Sequence, residues 1–534
     1  MSLLRKRLIR AAFCVGLMAG MGQLVHPAMA DTTLTRGIGS SVGTLDPQLN
    51  FLANEGWIQD DMYEGLTAQD VSGKIIPGAA DKWEMSDDGL TYTFHLRDGL
   101  KWSNGDPLVA QDFVNGIIRT LDSATASDKA YIFYSTIAIT GGADFNGKKI
   151  TDPKKVGASA PDDKTVVIHL DKPAPYALIY FGSYYGAPLH TPSFKKFAGA
   201  FIKPENIVSN GAYHMTENVP QSHVTLVKNP NYWDAASVKI DKVIYQVTED
   251  DKTATKLFKA GALDITVDIP SEQIDSLKKE FGDQVHISPY LQTDYMSFDI
   301  KKPPFDNIKL RQALATAIDR DTLINKVIKG GYVVNCSIVV PLTDYKAPRA
   351  PECDMDKATR IATAKKLYAE AQKEANFKDL TVTIESTNSE VDKKRAETIA
   401  VMWKTTLGVN AKVNAQERQG WLDAFSAMKW DVFNDDLVGD FAGPESYLSY
   451  VDPRGGVYGW ESKDYENLWD KAMGISDTQQ RYAVLAQAEK LYLDSYTSTP
   501  IDAVPNRALV RSTVEGWVDN IAASHPTRFM NIKQ

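Results

Sequence analysis

Cysteine is nearly missing from this chain: three in 534 residues, with eight histidines beside them. No C-x-x-C or H-E-x-x-H spacing occurs, and the closest histidine pair after the N-terminal region, His214 and His223, is nine residues apart. Metal and thiol-redox chemistry therefore lack their ligands and nucleophiles, and no metal or cofactor is expected. A P-loop is also lacking, and the Gly37-x-Gly39 pair does not have the spacing of a dinucleotide loop. Basic residues are in deficit, 59 Lys and Arg against 68 Asp and Glu, without long blocks of one sign. That balance argues against nucleic acid or an anionic lipid surface as a partner. Beyond the N-terminus no apolar run is long enough to cross a bilayer.

The N-terminus itself has a clear pattern. Arg5, Lys6, Arg7 and Arg10 precede an apolar run from Ala11 to Val25, which is short and interrupted by glycine. The small-residue ending Ala28-Met29-Ala30 then supplies an A-x-A cleavage site, so residues 1–30 read as a secretory signal peptide. Cys14 follows Ala-Ala-Phe, a poor lipobox, so no lipid anchor is expected and the mature chain begins near Asp31. Its loss takes away four bases and leaves 55 against 68 acids, a net charge of about −13. In an exported chain Cys336 and Cys353, in "NCSIVVPLTDYKAPRAPEC", read as one disulfide closing a proline-rich loop. Such a closure contributes on the order of 3 kcal/mol in the chain-entropy picture.

The remaining 504 or so residues exceed what one core holds, so two or three domains are expected. The first part alternates strands and turns. "LTYTFHL" puts Leu90, Tyr92, Phe94 and Leu96 on one face, and "TVVIHL" does the same with Val166, Ile168 and Leu170. Between them "DPLVAQDFVNGIIRTLD" has helical spacing, with Val109, Phe113 and Ile117 on one face. "VKIDKVIYQVTEDDKTATKLFKAGALDIT" predicts strand, helix and strand, the helix stopping at Gly261. The second half carries longer helices, one with Asp306 as the expected N-cap. "LTVTIES", "DKKRAETIAVMWKTTLG" and "VNAKV" together form a βαβ signal, implying a parallel pair and a mixed α/β protein in two lobes.

Chemistry-bearing motifs are few. "GSSVG" formally matches G-x-S-x-G around Ser41, but Pro47 disfavours the helix that such a nucleophile turn requires. A secreted serine hydrolase is thus the remote alternative. Carboxylate pairs such as Asp87/Asp88 and Asp435/Asp436 are sequence neighbours, which on a strand point to opposite faces. Trp102 and Trp233 follow turn-rich segments and are read as packing residues.

Several stretches together resemble the family 5 solute-binding proteins of ABC importers. They are "GAADKWEMSDDGLTYTFHLRDGLKWSNGDPLVAQDFV" at 78–114, "LDPQLNFLANEGWIQDDMYEGL" at 45–66, "NIVSNGAYHM" at 206–215, "LVKNPNYWD" at 226–234 and "KKPPFDNIKLRQALATAIDR" at 301–320. Within that family the likeness is strongest to Gram-negative periplasmic oligopeptide binders. The resemblance implies a two-lobed α/β periplasmic binding protein (type II, cluster C) with a hinge and an additional inserted domain. It implies domain I at 31–63, 199–291 and 504–534, domain II at 64–198 and domain III at 292–503. The expected role is a monomeric, non-catalytic periplasmic receptor that encloses a peptide and passes it to an inner-membrane permease. The alternative ligand is a non-peptide solute, an opine-like conjugate or a metal chelate.

The resemblance also assigns residues. Asp440, in "DDLVGDFAGPESYL", stands where oligopeptide binders place an acid against the ligand's α-ammonium group. Phe51, Leu52 and Ala53, and Asp436, Leu437 and Val438, match segments whose backbones pair with the peptide by strand addition. The chain also departs from the pattern. Asn434 and Phe425 stand at two Arg positions, Arg418 and Leu437 at two Trp positions, and Lys129 at a Tyr position. Arg418, Lys129 and Asn434 are therefore candidate cleft-lining residues. Gln292 and Val438 replace a cysteine pair that joins two domain III strands in those proteins. Losing the arginines removes receptors for peptide carboxylates and argues against a murein-peptide role.

Overall fold

In the computed structural model, residues 32–50, 52–182, 184–428 and 430–533 are described. The proposed signal peptide and Phe51 lie outside them.

The alternating segments build two four-stranded sheets. Thr91–Leu96 buries Tyr92, Phe94 and Leu96 and pairs antiparallel with both Ala80–Met85 and Thr165–His169, and Ala158–Asp162 completes that sheet. The helix Ala110–Leu121 packs on it through Phe113, Val114, Ile117 and Leu121, its first turn closed by Asp112 accepting from Val109 N–H. The other sheet runs in the order Thr33–Gly37, Lys242–Gln246, His223–Lys228 and Tyr213–Val219. The strand expected after Gly261 contracts to one residue: Ile265 bridges Arg36 on one side and Val510 on the other. That bridge is the seam between this sheet and the next.

A six-stranded sheet forms the second lobe, in the order Val333–Val334, Ser498–Leu509, Val285–Phe298, Val432–Val438, Thr381–Thr387 and Asn410–Gln416. The βαβ signal is realised here: Thr381–Thr387 and Asn410–Gln416 are parallel, joined by the helix Glu390–Leu407. Ser389 caps that helix, and Gly408 ends it at φ 78°, a conformation glycine adopts without a Cβ penalty. Helix Ile308–Thr316 is capped by Asn307 and not by Asp306. The Asn307 side chain accepts from Lys309 and Leu310 N–H at 2.9 and 3.2 Å. Cys336 and Cys353 are bonded. Gln292 and Val438, at the positions of the replaced cysteine pair, face each other across the Val285–Phe298 and Val432–Val438 ladder.

The long strands Val285–Phe298 and Ser498–Leu509 tie the lobes together. Their pairing begins near the Ile265 seam and continues into the six-stranded sheet, with register shifts at Pro289/Thr293 and Asp294/Tyr295. Irregularities of this kind bend a ladder and increase its local twist. The cleft lies beside this crossing.

Candidate functional site

Asp440 owes its place to the loop that ends strand Val432–Val438. Gly439 N–H donates to Leu291 O at 2.7 Å, and a Cβ at Gly439 would lie 2.7 Å from the Tyr447 ring, so only glycine permits this approach. Pro444 then opens the short helix Pro444–Leu448, and Asp440 N–H donates to Ser446 Oγ at 2.6 Å. Glu445 in that turn pairs with buried Arg481 at 2.7 Å. Phe441 anchors the loop from the other side, stacked on Tyr176 and edge-on to Tyr180.

The loop faces a cavity of about 460 Å³ whose lining includes Ala53, Trp57, Asp60, Tyr184, Tyr185, Tyr290, Val438, Asp440 and Phe441. A second cavity of about 460 Å³ adjoins it, sharing Ala53, Trp57 and Tyr290 and extending past Asp268, Asp294, Tyr332, Asp392 and Arg507. Together they make one long, partly aromatic cleft of ligand-binding size.

Asp440 lines the cavity and is exposed, with protein packed around part of its carboxyl. This desolvation pushes its carboxyl above the usual carboxylate range, the Tyr180 hydroxyl pulling the other way. That hydroxyl, at 3.1 Å, is the single donor to its carboxylate among the described residues, and no basic side chain pairs with it there. A carboxylate so placed favours an incoming cation.

Of the other predicted residues, Ala53 and Val438 line the cleft. Leu52 is exposed and extended (φ −85°, ψ 139°), whereas Ala53 already begins the helix Ala53–Met62. Leu437 is buried and pairs with Thr293. Asp436 is met by Arg418 at 2.9 Å, whose guanidinium lies over Trp421. Asn434 is buried, donating to Ser386 Oγ at 3.1 Å. Lys129 is buried as well: its ammonium donates to Pro47 O and stands 5.0 and 5.1 Å from the Tyr184 and Tyr185 ring centres. Burial pulls Lys129 down to about 7. Neither Asn434, Arg418 nor Lys129 belongs to the lining of the two cavities.

Sequence reasoning missed Trp57, Asp60 and the tyrosines. Trp57 and Asp60, three apart on one helix face, and the run "YFGSYYG" were the available signals.

The description "Bacterial extracellular solute-binding proteins, family 5 Middle" matches residues 74–458, well over half of the chain. This chain belongs to that family. The periplasmic oligopeptide-binding protein OppA of Escherichia coli is 33% identical over 527 residues, covering 96% of each chain. A probable deoxycholate-binding periplasmic protein of the same organism, YgiS, is 30% identical over 90% of this chain and 89% of its own. Among solved structures, the Escherichia coli murein tripeptide binding protein MppA superposes with a TM-score of 0.81 at 29% identity, covering 95% and 99% of the two chains. Haemophilus influenzae OppA in complex with RPPGFSPFR gives 0.78 at 29% identity, covering 94% and 99%. The family 5 fold of this chain is accordingly that of a two-lobed α/β periplasmic binding protein. Among the described residues no helix is long and apolar enough to cross a membrane.

Proposed function

We propose that this family 5 protein is the peptide-capturing receptor of an ABC importer, exported by cleavage near residue 30 and working in the periplasm with an inner-membrane permease. The observation that carries the reading is Asp440: a carboxylate on the cleft wall with one neutral donor and no cation partner among the described residues. A peptide α-ammonium supplies the missing charge. Asp436–Val438 supports a backbone grip. The ladder to Val285–Phe298 occupies one side of these residues, while on the other the parallel pairing stops at Glu385–Phe433. An extended peptide can add as a strand there, independent of its side chains.

The proposed lobes, 31–63 with 199–291 and 504–534 on one side and 292–503 on the other, then close about the crossing strands, with 64–198 inserted. A ligand touching both lobes stabilises the closed form. No chemical step belongs to this reading; Ser41 is hydrogen-bonded to Glu249 at 3.3 Å. Calorimetric titration with tri-alanine and its Nα-acetyl form tests it. Acetylation is expected to weaken binding at least about 100-fold, the scale of breaking a desolvated ion pair. Equal affinity for the two forms would overturn the assignment of Asp440.

A further inference from the structure

A second carboxylate faces the same cavity. Asp60 stands on helix Ala53–Met62, three residues beyond Trp57, and lines the cavity with Asp440. A wall of tyrosines joins the two acids. Tyr180 donates to Asp440, its ring edge meets Tyr185 at 5.6 Å, Tyr185 packs on Tyr184 at 4.4 Å, and Tyr184 N–H donates to Asp60 at 3.3 Å.

The cations around Asp60 are engaged with other groups. Lys129 donates to Pro47 O. Arg528 is held by Glu64 at 2.5 Å and by the Tyr232 hydroxyl at 3.0 Å. Among the described residues no ion pair is made to Asp60, and no basic side chain lines this cavity. In the adjoining cavity the single base among the described residues is Arg507, held by Asp268 through two contacts of 2.9 and 2.8 Å. Among the described residues the cleft therefore offers two acids without an ion-pair partner at one end, and no unengaged base for a ligand's carboxylate.

We propose that Asp60 is a specificity residue that receives a second positive charge on the ligand. When the peptide's first side chain is Lys or Arg, its cationic head lies against Asp60 along the tyrosine wall while the α-ammonium sits at Asp440. The inference rests on the peptide reading above. Tyrosine faces attract ammonium and guanidinium groups, and the long alkyl stem of either residue suits an aromatic wall. Burial and neighbouring Asp61 push Asp60 up to about 7, with the Tyr184 N–H, Arg528 and Lys129 pulling the other way. An arriving cation relieves that cost of desolvation.

The test is titration calorimetry at pH 8 with Lys-Ala-Ala, Ala-Ala-Ala and Lys-Ala-Ala acetylated at Nε or at Nα. The lysine peptide is expected to bind the wild-type protein on the order of tenfold tighter than tri-alanine, about 1.4 kcal/mol. Nε-acetylation removes that advantage. In Asp60→Asn, with its fold checked by circular dichroism, the ratio of the two affinities falls to near one. Equal binding of the two peptides by wild type overturns the proposal, and so does an advantage that survives Nε-acetylation or Asp60→Asn. The Nα-acetyl peptide reads Asp440 separately: if it binds undiminished while the Nε contrast holds, the Asp440 assignment fails and Asp60 stands. Absence of binding by every peptide removes both.

Discussion

Two groups of acids border the adjoining cavities, and the protein treats them differently. Around Arg395, 1% exposed, Asp392 lies at 2.7 Å, Asp502 at 3.1 Å and Asp294 in close contact, with Asp294 and Asp502 opposite each other in the strand ladder. Burial raises both Asp294 and Asp502, and Arg395 opposes it. Asp440 and Asp60, by contrast, have among the described residues neutral donors only, the Tyr180 hydroxyl and the Tyr184 N–H. Glu489 is a third case, sealed from solvent and fed by Ser337, Tyr345 and the Val339 N–H. The contrast teaches that an acid beside a cleft does not by itself mark a binding site. The proposed anchors combine, among the described residues, the lack of an ion-pair partner with access to the cleft; Arg395's partners fail the first condition and Glu489 the second.

Removing the internal cation should have the largest effect. Arg395→Leu leaves the buried Asp294 and Asp502 and the half-buried Asp392 uncompensated and is expected to cost about 3–5 kcal/mol in urea unfolding. A loss below about 1 kcal/mol would mean that this cluster is no more structural than the cleft acids.

Asp440→Asn should do the reverse. Tri-alanine affinity drops at least about 100-fold, while the melting temperature of the ligand-free protein does not fall, since this exposed carboxylate has no ion-pair partner among the described residues to lose. A lower melting temperature with binding intact would move Asp440 into the structural class.

Glu489 sharpens the comparison through pH. Burial lifts it to about 7 against an ordinary 4.5, so the folded state holds its proton more tightly than the unfolded chain does. Its stabilising contribution is complete below about pH 4.5 and is lost as pH rises through 7. Wild-type stability relative to Glu489→Gln should therefore fall by roughly 1.4 kcal/mol per pH unit between pH 5 and 7 and level off above. A flat difference across chemical unfolding at several pH values would contradict the burial argument.

The smallest effect belongs to Arg418. It is mostly exposed where it meets Asp436, so Arg418→Ala should change stability by less than about 1 kcal/mol, and less again in high salt. A larger loss in unfolding would place that pair with the Arg395 cluster.

Local patterns carried far along this chain. The alternation in Thr91–Leu96, the helix closed at Gly408, its parallel strand partners and the Cys336–Cys353 bridge all follow from spacing and short-range chemistry. Near-equal local options were harder to read. Asp306 and Asn307 are both good caps, and the backbone path selects Asn307. After Gly261 the apolar residues suit a strand, but only Ile265 meets partners on both sides.

The site divides in the same way. Sequence likeness singled out Asp440 and the Asp436–Val438 run, whereas Lys129, a residue of the same charge class as the arginines the chain lacks, proved to be buried against Pro47 and two tyrosine rings. What the sequence by itself determined is most of the elements, the stop at Gly408, the disulfide and the family, because each depends on residues near in the chain or on long runs of similarity. Only the tertiary structure decided which acids have a cation beside them. Arg395 meets Asp294 and Asp502 from distant strands, and Asp60 meets the cavity of Asp440 from the opposite end of the chain. Electrostatic compensation depends on distance and burial in space, and neither is written in the order of the residues.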